Sequence, residues 1–174
     1  MQLVMAILSR DSILERVKSG ELTITPFDEK SVGPASIDLH LGTSFRVFKQ
    51  VDKVLQVTDD ADFKDVTELV EEEKEFLLMP GQTAHAVTAE RIVLPPTLCG
   101  WIQGRSRFGR LGLMVHITAS FVQPGSSGNQ VLEMNNAGPI PLSLHPGIAI
   151  CQLILEELHG SATYTGKFAL QIKP

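Results

Sequence analysis

The segment PLSLHPGIAICQLIL, residues 141–155, shows the pattern that decides the fold. Two short apolar stretches, 142–144 and 148–155, are separated by the turn pair Pro146-Gly147. The same alternation of apolar stretches and Pro/Gly turns extends toward the N-terminus, with further apolar stretches at 37–41, 44–48, 75–78, 83–88, 98–102 and 131–134. Many short strands separated by such turns are typical of a β-sandwich or a β-barrel.

One helix is predicted near the N-terminus. Residues 12–15, SILE, have the form of a capping box, Val17 continues the apolar stripe, and Gly20 is placed to end the helix. The sequence therefore predicts a mainly β chain with a short N-terminal helix, in one domain over 1–174.

Net charge argues against one class of function. The chain of 174 residues has a net charge of −5, whereas a general nucleic-acid binder needs a basic surface. Nine acids and two lysines fall within 59–75, so the rest of the chain is slightly basic and can still hold an anion. We interpret the acidic segment as a solvated loop or helix face.

Cysteine usage and hydropathy indicate a cytoplasmic protein. Cys99 and Cys151 supply neither a disulfide framework nor zinc-site spacing, and both lie in apolar stretches, so we expect buried free thiols. The apolar start, 1–8, lacks the basic lead of a signal peptide, and no run reaches the length of a membrane span.

A basic loop carries the first chemical signal. Residues 104–112, GRSRFGRLG, hold three arginines and a serine within six residues, flanked by glycines. Guanidinium forks, a hydroxyl and glycine-permitted N–H groups can together cradle phosphate oxygens. A basic surface turn with solvated arginines is the alternative, and the loop matches neither a Walker nor a dinucleotide motif.

Two further stretches contain candidate functional groups. Glu133 is a lone acid in the apolar pattern of 131–136, where a carboxylate could serve in acid–base chemistry or simply face outward from a strand. Residues 164–171, YTGKFALQ, contain the chain's single tyrosine with a lysine and a glutamine. They could close over an anion, although a frayed tail is the common fate of such residues.

Three separated motifs together resemble one family. GRSRFGRLGLMVHITASFVQPGSSGNQVLEMNNAGPIPLSLHPG (104–147), PASIDLHLG (34–42) and YTGKFALQ (164–171) resemble the dCTP deaminases, relatives of the trimeric dUTPases. The resemblance implies a distorted β-barrel or jelly-roll-like dUTPase-type fold. It also implies a homotrimer with active sites between subunits, magnesium bound with the triphosphate, and a closing tail at about 160–174.

The resemblance also assigns roles to residues. Glu133 would be the general base, with Arg110 or Ser106 orienting the attacking water; Gln152 would touch the nucleotide, and Ala119 would lie near the base. A packed histidine is the commoner case for His116 in the same run. The phosphates would be held by Arg105, Ser106, Arg107, Phe108, Gly109 and Arg110, the nucleoside would lie along Val131 and Leu132, the sugar would meet Gln123, and Tyr164, Lys167 and Gln171 would close over the phosphates.

The implied reaction adds water at C4 of cytosine and releases ammonia. Most nucleobase deaminases activate that water with zinc held by His and Cys. The chain has no H-x-E followed by C-x-x-C, so the resemblance places water activation on Glu133 without zinc.

The chain departs from the family pattern at three positions. Gln123 stands where the family carries an Asp that reads the sugar hydroxyl, Ser126 where a larger aromatic is common, and Arg107 where a serine is usual. Substrate choice is therefore open, as is regulation by dTTP.

Four alternatives to simple dCTP deamination remain. They are a bifunctional enzyme that converts dCTP to dUMP and diphosphate, a dUTPase, a nucleotide-binding regulator with weak chemistry, and a β-barrel interaction protein without a small-molecule site. The absence of Asp and Tyr around Gln123 disfavours a pure dUTPase.

Overall fold

A computed structural model describes residues 6–52 and 54–174. Two helices and a series of strands follow one another along the chain, with short 3₁₀ turns at Glu29–Ser31 and Phe63–Asp65. Their bounds are α1 (Arg10–Ser19), β1 (Thr23–Thr25), β2 (Ile37–Phe48), β3 (Thr67–Glu71), β4 (Phe76–Leu78), β5 (Thr83–Val93), β6 (Leu98–Gly104), α2 (Ser106–Gly109), β7 (Leu113–Val115), β8 (Phe121–Val122), β9 (Ser127–Asn136), β10 (Leu142–Leu144) and β11 (Ala149–Glu157). The mainly β class with a short N-terminal helix is confirmed.

The strands form one large antiparallel sheet and one small one. The large sheet has the order β7-β9-β5-β2-β11-β6-β8, with β1 added to β5 and β3 added to β2, and it curls into a half-barrel. The small sheet pairs β10 with β4. Because β5 lies between β2 and β9, residues far apart in sequence meet across the middle of the sheet.

Side-chain alternation along β9 separates core from site. Leu132 and Met134 are fully buried in the hydrophobic core, whereas Val131, Glu133 and Asn135 are only partly buried on the other face. A strand alternates its side chains with a period of two, so the burial of Leu132 and Met134 holds Glu133 on the opposite side. Burial of each large aliphatic side chain contributes roughly 1.5–3 kcal/mol.

Helix α1 begins three residues earlier than the sequence predicts. Ser9 is the N-cap, in an extended conformation, and its hydroxyl accepts a hydrogen bond from the Ser12 backbone N–H at 3.4 Å. The prediction of a capping box at 12–15 is therefore wrong, because Ser12 already lies within the helix. The predicted stop is confirmed, since Gly20 ends α1 with a left-handed φ of 78°.

Part of the acidic segment is a strand rather than a loop or helix. β3 pairs with β2, and Glu71 at its end accepts a hydrogen bond from the Ser44 hydroxyl at 3.0 Å. The Lys173 ammonium lies 2.9 Å from the Glu71 carboxylate and holds the pKa of that carboxyl below its usual range. The prediction of a solvated loop or helix face is thus wrong for Thr67–Glu71.

Cys99 and Cys151 are free and buried, as expected. Burial raises the pKa of both thiols, most strongly that of Cys151. None of the helices in the described ranges is long and apolar enough to cross a membrane.

Candidate functional site

A cavity of about 410 Å³ lies between the exposed face of β9 and the segment that follows β11. The β9 face supplies its floor, and the loop between β7 and β8 supplies one wall. Six residues predicted from the sequence line this cavity, namely Ala119, Gln123, Val131, Glu133, Tyr164 and Gln171. The structure therefore gathers the predicted base, sugar-side and tail residues around one space.

The Glu133 carboxylate is held from one side. Thr118 donates two hydrogen bonds to its Oε2 atom, from the hydroxyl at 2.5 Å and from the backbone N–H at 3.2 Å. Within the described ranges, no hydrogen bond is made to Oε1. The carboxylate thus has one oxygen fixed by the protein and one available in the cavity, the arrangement that a general base requires.

The loop that carries Thr118 adopts an unusual backbone conformation. His116 has a φ of 57°, in the left-handed region, and its N–H donates to the Glu133 carbonyl at 2.6 Å. Its ring Nε2 lies 2.8 Å from the Ala119 carbonyl, and its buried Nδ1 has no partner among the described residues. Burial lowers the pKa of His116. Residues in such sparsely populated conformations cluster at active sites and ligand-binding loops, and this loop carries Thr118 to the Glu133 carboxylate.

His85, which sequence reasoning missed, also lines the cavity. It lies directly across from Glu133 in the pairing of β5 with β9, and its ring meets the rings of Phe48 and Phe63 edge-on at 5.5 and 6.2 Å. Burial lowers the pKa of His85, and the nearby Arg46 adds to this effect, while Glu133 opposes it. Only a cross-strand register, which sequence alone does not give, could have paired His85 with Glu133.

The C-terminal segment is packed over the cavity rather than frayed. The Tyr164 N–H donates to the Pro124 carbonyl at 2.9 Å, and the Ser127 N–H donates to the Ala169 carbonyl at 3.0 Å. A Cβ atom at Gly128 would collide with the main-chain oxygen of Gln171, so glycine is required for this approach. Lys167 is exposed, outside the cavity lining.

The arginine-rich loop lies elsewhere on the chain. Helix α2 (Ser106–Gly109) follows β6, with Arg105 as its N-cap and Arg110 as its C-cap. None of the residues predicted to hold the phosphates lines the Glu133 cavity, namely Arg105, Ser106, Arg107, Phe108, Gly109 and Arg110. Arg105 pairs with Asp38 at 3.1 Å and donates to the Ala149 carbonyl at 3.1 Å. The Ser36 hydroxyl donates to Gln152 at 3.2 Å beside this group.

The predicted site is therefore divided into two parts within one chain. Arg107 and Arg110 are exposed, and Phe108 packs partly against the core. Leu132 is fully buried in the core, so any contact of this residue with a ligand would involve its backbone rather than its side chain. Gln123 and Ser126, where the chain departs from the family pattern, both line the cavity.

Across 6–52 and 54–174, no three His, Cys, Asp or Glu side chains are grouped so that they could hold a metal ion.

Known proteins resemble this chain over nearly all of its length. The family model described as dCTP deaminase-like matches residues 7–158. A Methanobrevibacter smithii protein named "dCTP deaminase, dUMP-forming" is 37% identical over 98% of this chain and 93% of its own length. A Halorubrum lacusprofundi protein named "dCTP deaminase" is 41% identical over 90% of this chain and 79% of its own length.

A solved structure shares the fold. The 2'-deoxycytidine 5'-triphosphate deaminase from Agrobacterium tumefaciens superposes with a TM-score of 0.70 at 20% identity, over 90% of this chain and 50% of that one. The extent of the family match and the identity to the two relatives lead to one conclusion: this chain belongs to the dCTP deaminase-like family.

Proposed function

We propose that this protein deaminates dCTP, with Glu133 as the general base. The observation that carries the proposal is the Glu133 carboxylate in a cavity of about 410 Å³, with one oxygen bonded by Thr118 and the other without a hydrogen-bond partner among the described residues. Membership of the dCTP deaminase-like family supports dCTP as the substrate. The relatives are named either "dCTP deaminase" or "dCTP deaminase, dUMP-forming", and both names support a role in pyrimidine nucleotide metabolism.

The reaction needs a base, a positioned water and a way to hold the nucleotide. Glu133 Oε1 takes a proton from water as the water oxygen bonds to C4 of cytosine, and the C4 carbon becomes tetrahedral. Glu133 passes that proton to the ring nitrogen N3. It then takes the second proton from the new C4 hydroxyl and gives it to the amine, so that C4=O forms as the C4–N bond breaks and ammonia leaves. Ala119 and Val131 border the same cavity and would position the base.

The arginine-rich loop enters this reaction from a second subunit. Within one chain, Arg110 and Ser106 lie outside the Glu133 cavity, so a homotrimer with sites at its subunit junctions would unite the two parts. There Arg105 and Arg107 would hold phosphate oxygens, and Arg110 or Ser106 would orient the water and offset developing charge.

Magnesium would bind through the nucleotide rather than through a protein cage. The loop offers guanidinium groups and a hydroxyl, which suit phosphate oxygens but not a dication. Mg²⁺ commonly binds substrate phosphates and keeps several waters, so this donor set fits a magnesium–triphosphate complex. Bound there, the ion would neutralise phosphate charge.

Formation of dUMP is the second candidate function. The M. smithii protein and other relatives carry the dUMP-forming name, at 34–38% identity. The tail residues Tyr164 and Gln171 line the Glu133 cavity, so phosphate and base chemistry could share one closed space.

Measuring two products separates these functions. Purified protein is incubated with Mg²⁺ and either dCTP or dUTP, and ammonia and diphosphate are both quantified. Binding of dCTP is measured in parallel. Ammonia alone identifies a dCTP deaminase, and equal amounts of both identify a dUMP-forming enzyme. Diphosphate from dUTP without ammonia from dCTP identifies a dUTPase, and tight dCTP binding without ammonia identifies a nucleotide-binding regulator.

Variants at two acids test the assignment of the base. Glu133→Gln should lose nearly all ammonia release, by about 10²-fold or more, because the amide cannot take the proton. It should still bind dCTP, since its shape is preserved. Glu68→Gln, on the exposed side of edge strand β3, is the matched control and should keep wild-type turnover. Substantial turnover in Glu133→Gln contradicts the assignment.

A further inference from the structure

We propose that His85 is a positioning residue for the deamination proposed above. Its neutral imidazole leaves Glu133 able to act as the general base, and protonation of His85 makes Glu133 a weaker base. The inference rests on the proposed function of the Glu133 cavity. His85 was not among the site residues predicted from the sequence. The evidence for its role is the pairing of three neighbouring strands, β2, β5 and β9.

Strand register places His85 between two charged side chains. Arg46 on β2 and His85 on β5 are directly paired residues, and His85 and Glu133 on β9 are directly paired as well. Side chains of directly opposed residues have Cβ atoms about 4.5–5.5 Å apart. The three residues therefore form a row across the sheet, in which His85 and Glu133 are direct cross-strand neighbours.

The surroundings of His85 favour its neutral form. Phe48 and Phe63 meet its ring edge-on, and the Arg46 guanidinium lies over the Phe63 ring at 5.2 Å. Burial and Arg46 lower the pKa of His85, and Glu133 is the acid that opposes them. No hydrogen bond to the His85 ring is found within the described part of the chain.

Protonation of His85 would change what Glu133 can do. An imidazolium beside the carboxylate attracts its negative charge, and this attraction is strong at partly buried sites. The positive charge would lower the affinity of the Glu133 carboxylate for a proton and so make it a weaker base toward water. Activity should therefore fall at acidic pH as His85 gains its proton; His116, which lines the same cavity from the loop after β7, is the other imidazole that faces Glu133.

Replacing His85 should broaden activity toward acidic pH. The kcat/KM for ammonia release from dCTP is measured from about pH 5 to about pH 8 in wild type, His85→Asn and His85→Leu, with His159→Asn, an exposed histidine, as the matched control. In both His85 variants the ratio of kcat/KM at about pH 5.5 to that at about pH 7.5 should rise about threefold or more. His159→Asn should keep the wild-type profile. An unchanged ratio in both His85 variants overturns the proposal, because a purely structural role would lower activity at all pH values alike.

A second readout does not depend on turnover. The pKa of His85 is followed by NMR in wild type, Glu133→Gln and Glu68→Gln. Removing the Glu133 charge should move the pKa of His85 further down, whereas Glu68→Gln should leave it in place. If the His85 pKa depends on the Glu133 charge but no ammonia is released, the proposed function alone is refuted. If the His85 pKa is the same in wild type and Glu133→Gln, the role of His85 is refuted.

Discussion

Replacing Thr118 by valine tests how much of the reaction depends on the clamp on Glu133. Valine keeps the shape of threonine and removes only the hydroxyl, which donates to Glu133 Oε2 at 2.5 Å. The backbone N–H at 3.2 Å remains, so the carboxylate loses the shorter of its two hydrogen bonds. Hydrogen bonds to charged groups contribute about 1.5–3 kcal/mol, and Thr118 is exposed, which favours the lower end.

The expected loss in Thr118→Val is therefore about tenfold in kcat, since about 1.4 kcal/mol corresponds to a factor of ten. The assay is ammonia release from saturating dCTP, with Thr118→Ser as the control that retains the hydroxyl. The same hydrogen bond contributes to stability, so the unfolding free energy should fall by no more than about 1.5 kcal/mol and the variant should stay folded in the assay. A kcat within about twofold of wild type in Thr118→Val, or an equal loss in Thr118→Ser, would refute the reasoning.

Three other perturbations follow from the structure. Gly128→Ala should displace the tail, because its Cβ would meet the Gln171 oxygen, and faster proteolysis after residue 160 with a higher KM would show this. Folding lowers the pKa values of His85 and His116, so the unfolded chain takes up protons at a higher pH than the folded protein does. The free energy of unfolding, measured in urea, should therefore be highest above about pH 6.5 and should fall as the pH is lowered further. Replacing both histidines by Asn should make this fall smaller. Cys151 should resist alkylation until the protein is denatured, and rapid labelling of the native protein would contradict its burial.

The strands were predictable because their signals are local. Alternating apolar residues and Pro/Gly turns identified most of β2, β4, β6, β10 and β11, but only residues 83–88 of β5 and 131–134 of β9. The start of α1 was not predictable from the sequence, because Ser9 and Ser12 are both suitable N-cap residues. A tertiary contact decides between them, since the Arg10 N–H donates to the Pro34 carbonyl at 2.8 Å. Strand β3 was missed because its sequence is rich in acidic residues, which are uncommon in strands but are tolerated on an exposed edge strand.

The site was predictable only through family resemblance and only in part. The motif order indicated Glu133, Tyr164 and Gln171, which the fold brings to one cavity. It did not reveal that the arginine-rich loop stands apart within one chain. The neighbours of Glu133 were also missed, because Thr118 and His85 reach it through a strained loop and a cross-strand register that no local pattern encodes.

Mixing two inactive variants tests the central claim most directly. Glu133→Gln and Arg110→Ala should each be nearly inactive as pure proteins. Co-expressed in equal amounts, they should form mixed trimers in which about one junction in four joins an intact Glu133 to an intact Arg110 of the next subunit. The account predicts ammonia release at about one quarter of the wild-type rate, whereas verified mixed trimers that stay inactive would contradict it.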